Sequence, residues 1–447
     1  MARFLGEKVK LALGAVVALV VVLAIAMLMM STGSILTVSP AVQTIGMSTP
    51  VTVDVSNPHG VRRVAAYVDQ NGSQFPVYEE NEPSHRLFWR RHQPTRTIHF
   101  DAGKNHAPNL KEGKAQLVVE AVSDDLRGDT DRNVYDVNVV LAAPRVIADD
   151  FQHYINQAGM ELVTFTVTGS WTEAGVKVGP HAFRSYPLPG RGPDQRFSMF
   201  AYPWDLPADV TPVVYARNGA GTEVTGKFWF KLFPKKFRER DFVLDDKLMD
   251  KLVNNIDPTN TLAPGPDLLT RFLKINGDMR KKNNQQLYDL RMKTEEKILW
   301  SGPFIHWGKE EAMFADTRDY KYNGKQVDRQ THLGFDLSDV ANGPVHAANR
   351  GRVVYAADLG IYGNCVVLDH GYGLQSIYGH MQRIDVKVGD MVEKDGKLGI
   401  AGSTGLAEGV HVHFGMQIDG VQINPREWWD EHWIHDRILS KLMPEHS

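Results

Sequence analysis

The stretch EGVHVHFGM, residues 408–416, carries two histidines two apart in text that otherwise reads as a strand. In an extended chain the side-chain period is two, so His411 and His413 face the same way. A second pair stands in THLGFD, where His332 and Asp336 are four apart. Gly334 between them argues against a helix. An extended reading puts positions 332, 334 and 336 on one face, with the glycine leaving room between the two functional groups. IYGHM adds Tyr378 and His380, again read on a shared face. Two imidazole nitrogens and one carboxylate oxygen make a three-ligand set for zinc. The fourth tetrahedral position stays open for water, the mark of a catalytic site. Such an ion lowers the pKa of its water towards neutrality and polarises a bound carbonyl. Histidines that do not bind the metal can accept a proton and donate to a developing oxyanion. The chain has 17 histidines, and any one of them is more often a hydrogen-bonded structural residue than a ligand. The signal is the conjunction of both pairs in strand context with a further histidine between them, since HxH alone is weak.

These residues need a scaffold. Residues 34–143 read as short strands, with Val51, Val53 and Val55 on one face of PVTVDVS, and turn clusters such as DQNGS between them. A second series, residues 144–233, includes ELVTFTVTG and closes at KFWFKLF. This spacing predicts two β-sandwich modules, immunoglobulin-like in pattern only, with no Cys…Trp…Cys framework and no chemistry of their own. Residues 234–299 read as a helical connector. Leu248, Leu252 and Ile256 mark one helix, and Leu287, Leu290 and Ile298 a second. Strand text returns over residues 300–432, where Asn323-Gly324 is the strongest hairpin signal in the chain. Residues 433–447 read as a C-terminal helix and tail.

At 447 residues the chain exceeds one ordinary core. Its 50 basic and 53 acidic residues nearly balance, which gives no reason to propose nucleic acid as a partner. Residues 11–30 form one uncharged apolar run, and a helix of that length spans roughly 30 Å, the bilayer hydrocarbon thickness. Arg3, Lys8 and Lys10 precede it, and no charge follows until Asp54. The positive-inside bias predicts a single-pass anchor spanning residues 1–33, with the N-terminus in the cytoplasm and the rest outside the membrane. The competing expectation is a signal peptide cleaved at AIA, residues 24–26. The single cysteine, Cys365, rules out an intramolecular disulfide and reads as a small buried residue.

From about Phe314 to Asp430 the sequence resembles the lysostaphin/LytM-type (M23) zinc metallopeptidases. The shared stretches are HLGFD, GPVHAANRGRVVYA, GNCVVLDHGYGLQSIYGHM, VKVGDMVEKDGKLGIAGSTG and GVHVHF, in the family's order and spacing. The resemblance implies a small antiparallel β-sheet core with an open groove, and Zn2+ held by His332, Asp336 and His413. It implies His411 as general base and His380 as the second non-ligand histidine, supporting the attacking water or the oxyanion. It also implies a peptidoglycan endopeptidase that cuts peptide cross-bridges on the periplasmic side. The alternatives are a non-catalytic LytM-type regulator of other wall hydrolases and a structural envelope scaffold. Two departures from the family pattern stand beside the HxH: Ala407, Glu408, Gly409 and Val410 before it, and Gly415 after HF, where Glu is common.

Overall fold

The structure, a computed structural model, describes residues 2–85, 92–338 and 343–443, with the side chains of residues 2–9, Arg3 and Lys8 included, outside that description. The protein is mainly β. One helix, Ala2–Met30, precedes the strands, and its segment Lys10–Met30 is long and apolar enough to cross a membrane, with a mean hydropathy of 3.1. Contacts divide the chain into two compact units. One holds residues 1–144 with 169–172 and 217–224, and the other holds the rest.

In the first unit a three-stranded sheet and a five-stranded sheet are built largely from hydrophobic-in, polar-out strands. Val51, Val53 and Val55 are all buried, as their alternation requires, and they share one core with Val64, Leu117 and Val119 of the larger sheet. The exit of the apolar helix is tied to this unit directly. Arg127 Nη2 donates to Leu28 O at 3.2 Å, and a His59 ring nitrogen lies 3.1 Å from Met30 O.

The second unit joins residues 145–168 and 173–216 to the whole C-terminal part of the chain, so the expected boundary at 233 does not separate two compact bodies. The reason is chemical. Asp419, 2% exposed, accepts from the backbone N–H of Arg184 at 2.6 Å and from its guanidinium. Tyr186 and Phe197 pack on Tyr372, with ring centroids 5.0 and 4.9 Å apart. Lys441 Nζ is buried between Glu161 Oε1 and Leu162 O, 2.8 Å from each.

The stretch expected as a helical connector is only partly helical. Glu239–Leu244 is a strand that runs parallel to Asp316–Tyr322. Helices follow at Asp246–Ile256 and Leu268–Lys274, capped by the Asp245 and Asp267 carboxylates, and helical turns continue to Met292. Residue Ile298 lies outside any helix. Here Asp369 accepts from the Glu295 N–H at 2.9 Å, and Leu299 N–H bonds His370 O at 3.0 Å, so tertiary hydrogen bonds hold this segment along the sheet. The helices bury Leu252, Phe272 and Leu287 against Ile361, Tyr362 and Ile377 of the sheet domain. Full burial of a side chain such as Phe272 contributes about 2–3 kcal/mol.

The C-terminal sheet is antiparallel, in the order Lys309–Ala312, Phe335–Ser338, Val412–Ile418, Leu374–Ile384, Asn364–Gly371, Gly351–Asp358, Met391–Val392. The hairpin Asp316–Tyr322/Lys325–His332 lies in a separate sheet and turns through Asn323 and Gly324, both at positive φ, as a type I′ turn demands. Cys365 is fully buried.

Candidate metal centre

His332 ends one strand and Asp336 lies in the next, with a bend at Gly334 between them, so the two do not share one continuous strand. They meet nonetheless: His332 Nε2 lies 2.9 Å from Asp336 Oδ1. Strand pairing sets Asp336 directly opposite His413. His413 Nδ1 is then 3.0 Å from His332 Nε2 and 3.4 Å from Asp336 Oδ1. A β-carbon on Gly334 would fall 2.6 Å from the His413 ring, so only glycine lets the chain pass here without displacing the imidazole.

These three atoms form a cradle. Ligand bonds of about 2.0–2.2 Å at tetrahedral angles put neighbouring donor atoms roughly 3.2–3.6 Å apart. The observed separations of 2.9, 3.0 and 3.4 Å are close to those edges. Asp336 Oδ1 is buried and has no satisfied hydrogen bond among the described residues, although three imidazoles surround it. An orphaned carboxylate oxygen facing two imidazole nitrogens is what a divalent cation would complete. The tautomer of His332 suits that role, since its Nδ1 faces Met313 O at 3.2 Å and leaves Nε2 as the lone-pair atom. The residues therefore fit Zn2+.

The electrostatics agree. Burial alone would raise the Asp336 carboxyl, but the His332, His411 and His413 rings outweigh it and hold the group well below its ordinary value. Burial lowers His413 to about 4, which keeps it a neutral ligand at pH 7.

The other two histidines flank this centre. His411 precedes its strand rather than lying in it, bridging Gly402, and directs Nε2 to within 3.4 Å of Asp336 Oδ1. Its Nδ1 lies 2.9 Å from Gly409 O. Burial acts to lower its pKa, but the Asp336 carboxylate prevails and the net shift is upward. His380 stands 4.8 Å from His411 between ring centroids, and its Nδ1 lies 2.8 Å from Thr404 O. Burial and the neighbouring imidazoles lower its pKa well below the ordinary value. Its backbone takes φ +61°, a conformation that costs a non-glycine residue of order 1–3 kcal/mol and clusters at functional sites.

That kink also breaks the face expected to unite Tyr378 with His380. The Tyr378 hydroxyl is buried, accepting from Ala348 N–H at 2.8 Å and lying 3.0 Å from Ser376 Oγ, away from the cluster. All five expected site residues, by contrast, line one cavity of about 460 Å3. Its other wall comes from the helical stretch, through Leu252, Phe272 and Arg280. The loop before the HxH is tied to that wall, with Lys251 Nζ bonding Glu408 O at 2.5 Å. Sequence reasoning passed over Met313, Arg318 and Thr404, which touch the histidines or the aspartate from distant chain positions. Of these, Thr404 alone lies in one of the shared stretches, at the GSTG that ends VKVGDMVEKDGKLGIAGSTG.

Residues 330–425 match the model of peptidase family M23. A protein of Haemophilus influenzae described as an uncharacterized metalloprotease is 29% identical over 143 residues, 32% of this chain and 30% of that protein. The DD-carboxypeptidase/endopeptidase Mpg of Neisseria meningitidis is 32% identical over 94 residues, 21% of this chain and 22% of the relative. The peptidoglycan DD-endopeptidase ShyA of Vibrio cholerae is 32% identical over 93 residues, again 21% and 22%. The chain thus spans less than a third of the length of each of these three relatives.

Proposed function

We infer, from a chain whose C-terminal domain belongs to peptidase family M23, that this protein is a membrane-anchored zinc endopeptidase hydrolysing peptide cross-bridges of peptidoglycan. The observation that carries the reading is the convergence of His332 Nε2, Asp336 Oδ1 and His413 Nδ1 within 3.4 Å of one another, beside two further histidines in the same cavity. The named activities of the Neisseria and Vibrio relatives support the substrate class. The apolar helix ahead of the β-rich chain supports anchoring, with the catalytic domain outside the cytoplasmic membrane.

His332, Asp336 and His413 would hold the ion. Zinc bound there supplies a Lewis acid for the scissile carbonyl and a water acidified towards neutrality. His411, with Nδ1–H given to Gly409 O, keeps the Nε2 lone pair for the proton released during attack and returns it to the leaving amine. His380 is held by Thr404 O through Nδ1 and neutral by its burial. Its Nε2 therefore carries the lone pair and accepts a hydrogen bond from the attacking water. Gly409, which lines the cavity with no heavy atom within 4 Å of where a β-carbon would stand, suits a slim peptide rather than a bulky one.

Digestion of purified peptidoglycan tests this reading, with product masses naming the bond cut. Loss of products on chelation and recovery on adding zinc are expected. Products that persist in the presence of chelator, or none from metal-loaded protein, would refute it. The second of those results would favour a regulator of other hydrolases.

A further inference from the structure

Asp336 divides its two oxygens between different partners. Oδ1 faces the imidazoles of His332, His411 and His413, whereas Oδ2 accepts from Arg318 Nη2 at 3.1 Å. We propose that Arg318 is a positioning residue that commits Asp336 to the metal centre through Oδ1 alone, and so keeps a coordination position open for the reaction. This rests on the reading that His332, Asp336 and His413 hold a metal ion.

The argument is one of competition for lone pairs. A carboxylate beside a divalent cation can bind it through one oxygen or both, and a second bond fills the position that water or substrate needs. A guanidinium on Oδ2 occupies that oxygen with a charge-assisted hydrogen bond. The pair is well shielded, with side chains 22% and 13% exposed, so water competes weakly for either group. Arg318 has no better carboxylate on its own strand. Asp316, two residues earlier and on the same face, already bonds Arg238 through Nε at 3.1 Å and Nη2, and Arg240 through Nη2 at 3.1 Å. Phe242, on the neighbouring parallel strand, sits under the guanidinium at 5.9 Å and limits its movement away from Asp336. The placement comes from the Asp316–Tyr322/Lys325–His332 hairpin, which also delivers His332. Candidate ligand and positioning residue are therefore built from one hairpin, in which Arg318 pairs with Gln330, two residues before His332.

The test uses full-length protein in detergent, stripped of metal and titrated with Co2+, whose visible absorption is strong when four-coordinate and weaker at higher coordination number. A Co2+ signal that disappears in His413→Ala establishes the underlying site. If the native protein gives no such signal, the metal reading fails and this inference with it. Given that signal, Arg318→Gln is expected to lower the absorption per bound ion by at least about two-fold as Oδ2 joins the ion, and Arg318→Lys to restore part of it. A glutamine variant that folds by circular dichroism and whose spectrum superimposes on the native one overturns the role of Arg318 while leaving the metal site standing. X-ray absorption on the native zinc-loaded protein decides the matter without any variant. One carboxylate oxygen in the first shell supports the proposal, and two overturn it.

Discussion

Gly334 and His413 are in contact: a β-carbon at position 334 would lie 2.6 Å from Nε2 and from Cε1 of the imidazole, and 2.8 Å from Phe414 O. The glycine of HLGFD is thus a packing requirement of the histidine in HVHF, and the two motifs specify one another across the sheet. Gly334→Ala must push the His413 ring or the 414 carbonyl away. Both lie in a strand buried throughout, so neither can give cheaply. The expected cost is about 1–3 kcal/mol of stability, together with metal affinity reduced by about ten-fold or more. Denaturant unfolding and chelator competition measure the two separately, and a variant native in both would show the contact to be slack.

Removing the proposed base should separate chemistry from metal binding. His411 lies 3.4 Å from Asp336 Oδ1 but is not one of the three residues, His332, Asp336 and His413, that converge as candidate ligands. His411→Ala is expected to retain stoichiometric zinc and lose about 10^2–10^4-fold in turnover on peptidoglycan. His380→Ala should also retain zinc, with a loss of about 10^2-fold or more as the attacking water loses its hydrogen-bond partner. His413→Ala should instead lose the metal. Zinc content beside rate distinguishes the three variants, and unchanged turnover in both His411→Ala and His380→Ala would exclude the roles given to them.

The His332/Asp336 and His411/His413 pairs stand out in the sequence because their spacing is local: residues two and four apart in text that reads as extended, with a glycine where space is needed. Their supports were not. Met313 bonds His332 from 19 residues away, and Thr404 bonds His380 from 24. Nothing in the local text announces such contacts. Two periodicity readings failed for definite reasons. Tyr378 and His380 part company because a left-handed residue in mid-strand resets the alternation. Ile298 keeps helical spacing with Leu287 and Leu290, yet its segment gives its backbone bonds to Asp369 and His370 instead. The two β-rich series were legible as strands from alternation. Their grouping into compact units was not, because it depends on partners such as Arg184 and Asp419, 235 residues apart.

That partnership gives a stability prediction. Asp419 is almost fully buried and takes the Arg184 guanidinium through Nε at 2.8 Å and through Nη2, which also donates to Arg291 O at 2.5 Å. Arg184→Ala strands a buried carboxylate and is expected to cost about 3 kcal/mol. Arg184→Ala with Asp419→Asn should cost less than the sum of the two single changes, because the stranded charge is gone. Thermal unfolding of the four proteins checks this, and additivity would mean that the two residues do not act as a pair.

Asp369 predicts a pH dependence whose sign can be worked out. Its side chain is buried at 1% exposure, and burial pushes its pKa up to about 6, against which hydrogen bonds from Thr294 and the Glu295 and Gly371 N–H groups act only in part. In the unfolded chain an aspartate titrates near 3.9. Between about pH 4 and 6 the folded protein therefore keeps a proton that the unfolded chain has released, and stability falls as pH rises through that window. Two pKa units correspond to about 3 kcal/mol at most. Asp369→Asn cannot ionise, so its stability should change less than the native protein's between pH 4 and 6, by roughly 2–3 kcal/mol. Urea unfolding at fixed pH values across this range reads the difference directly. Parallel curves for the two proteins would mean that Asp369 is ionised in the fold at pH 4, and that its hydrogen bonds to the 294–295 backbone and side chain compensate its burial in full.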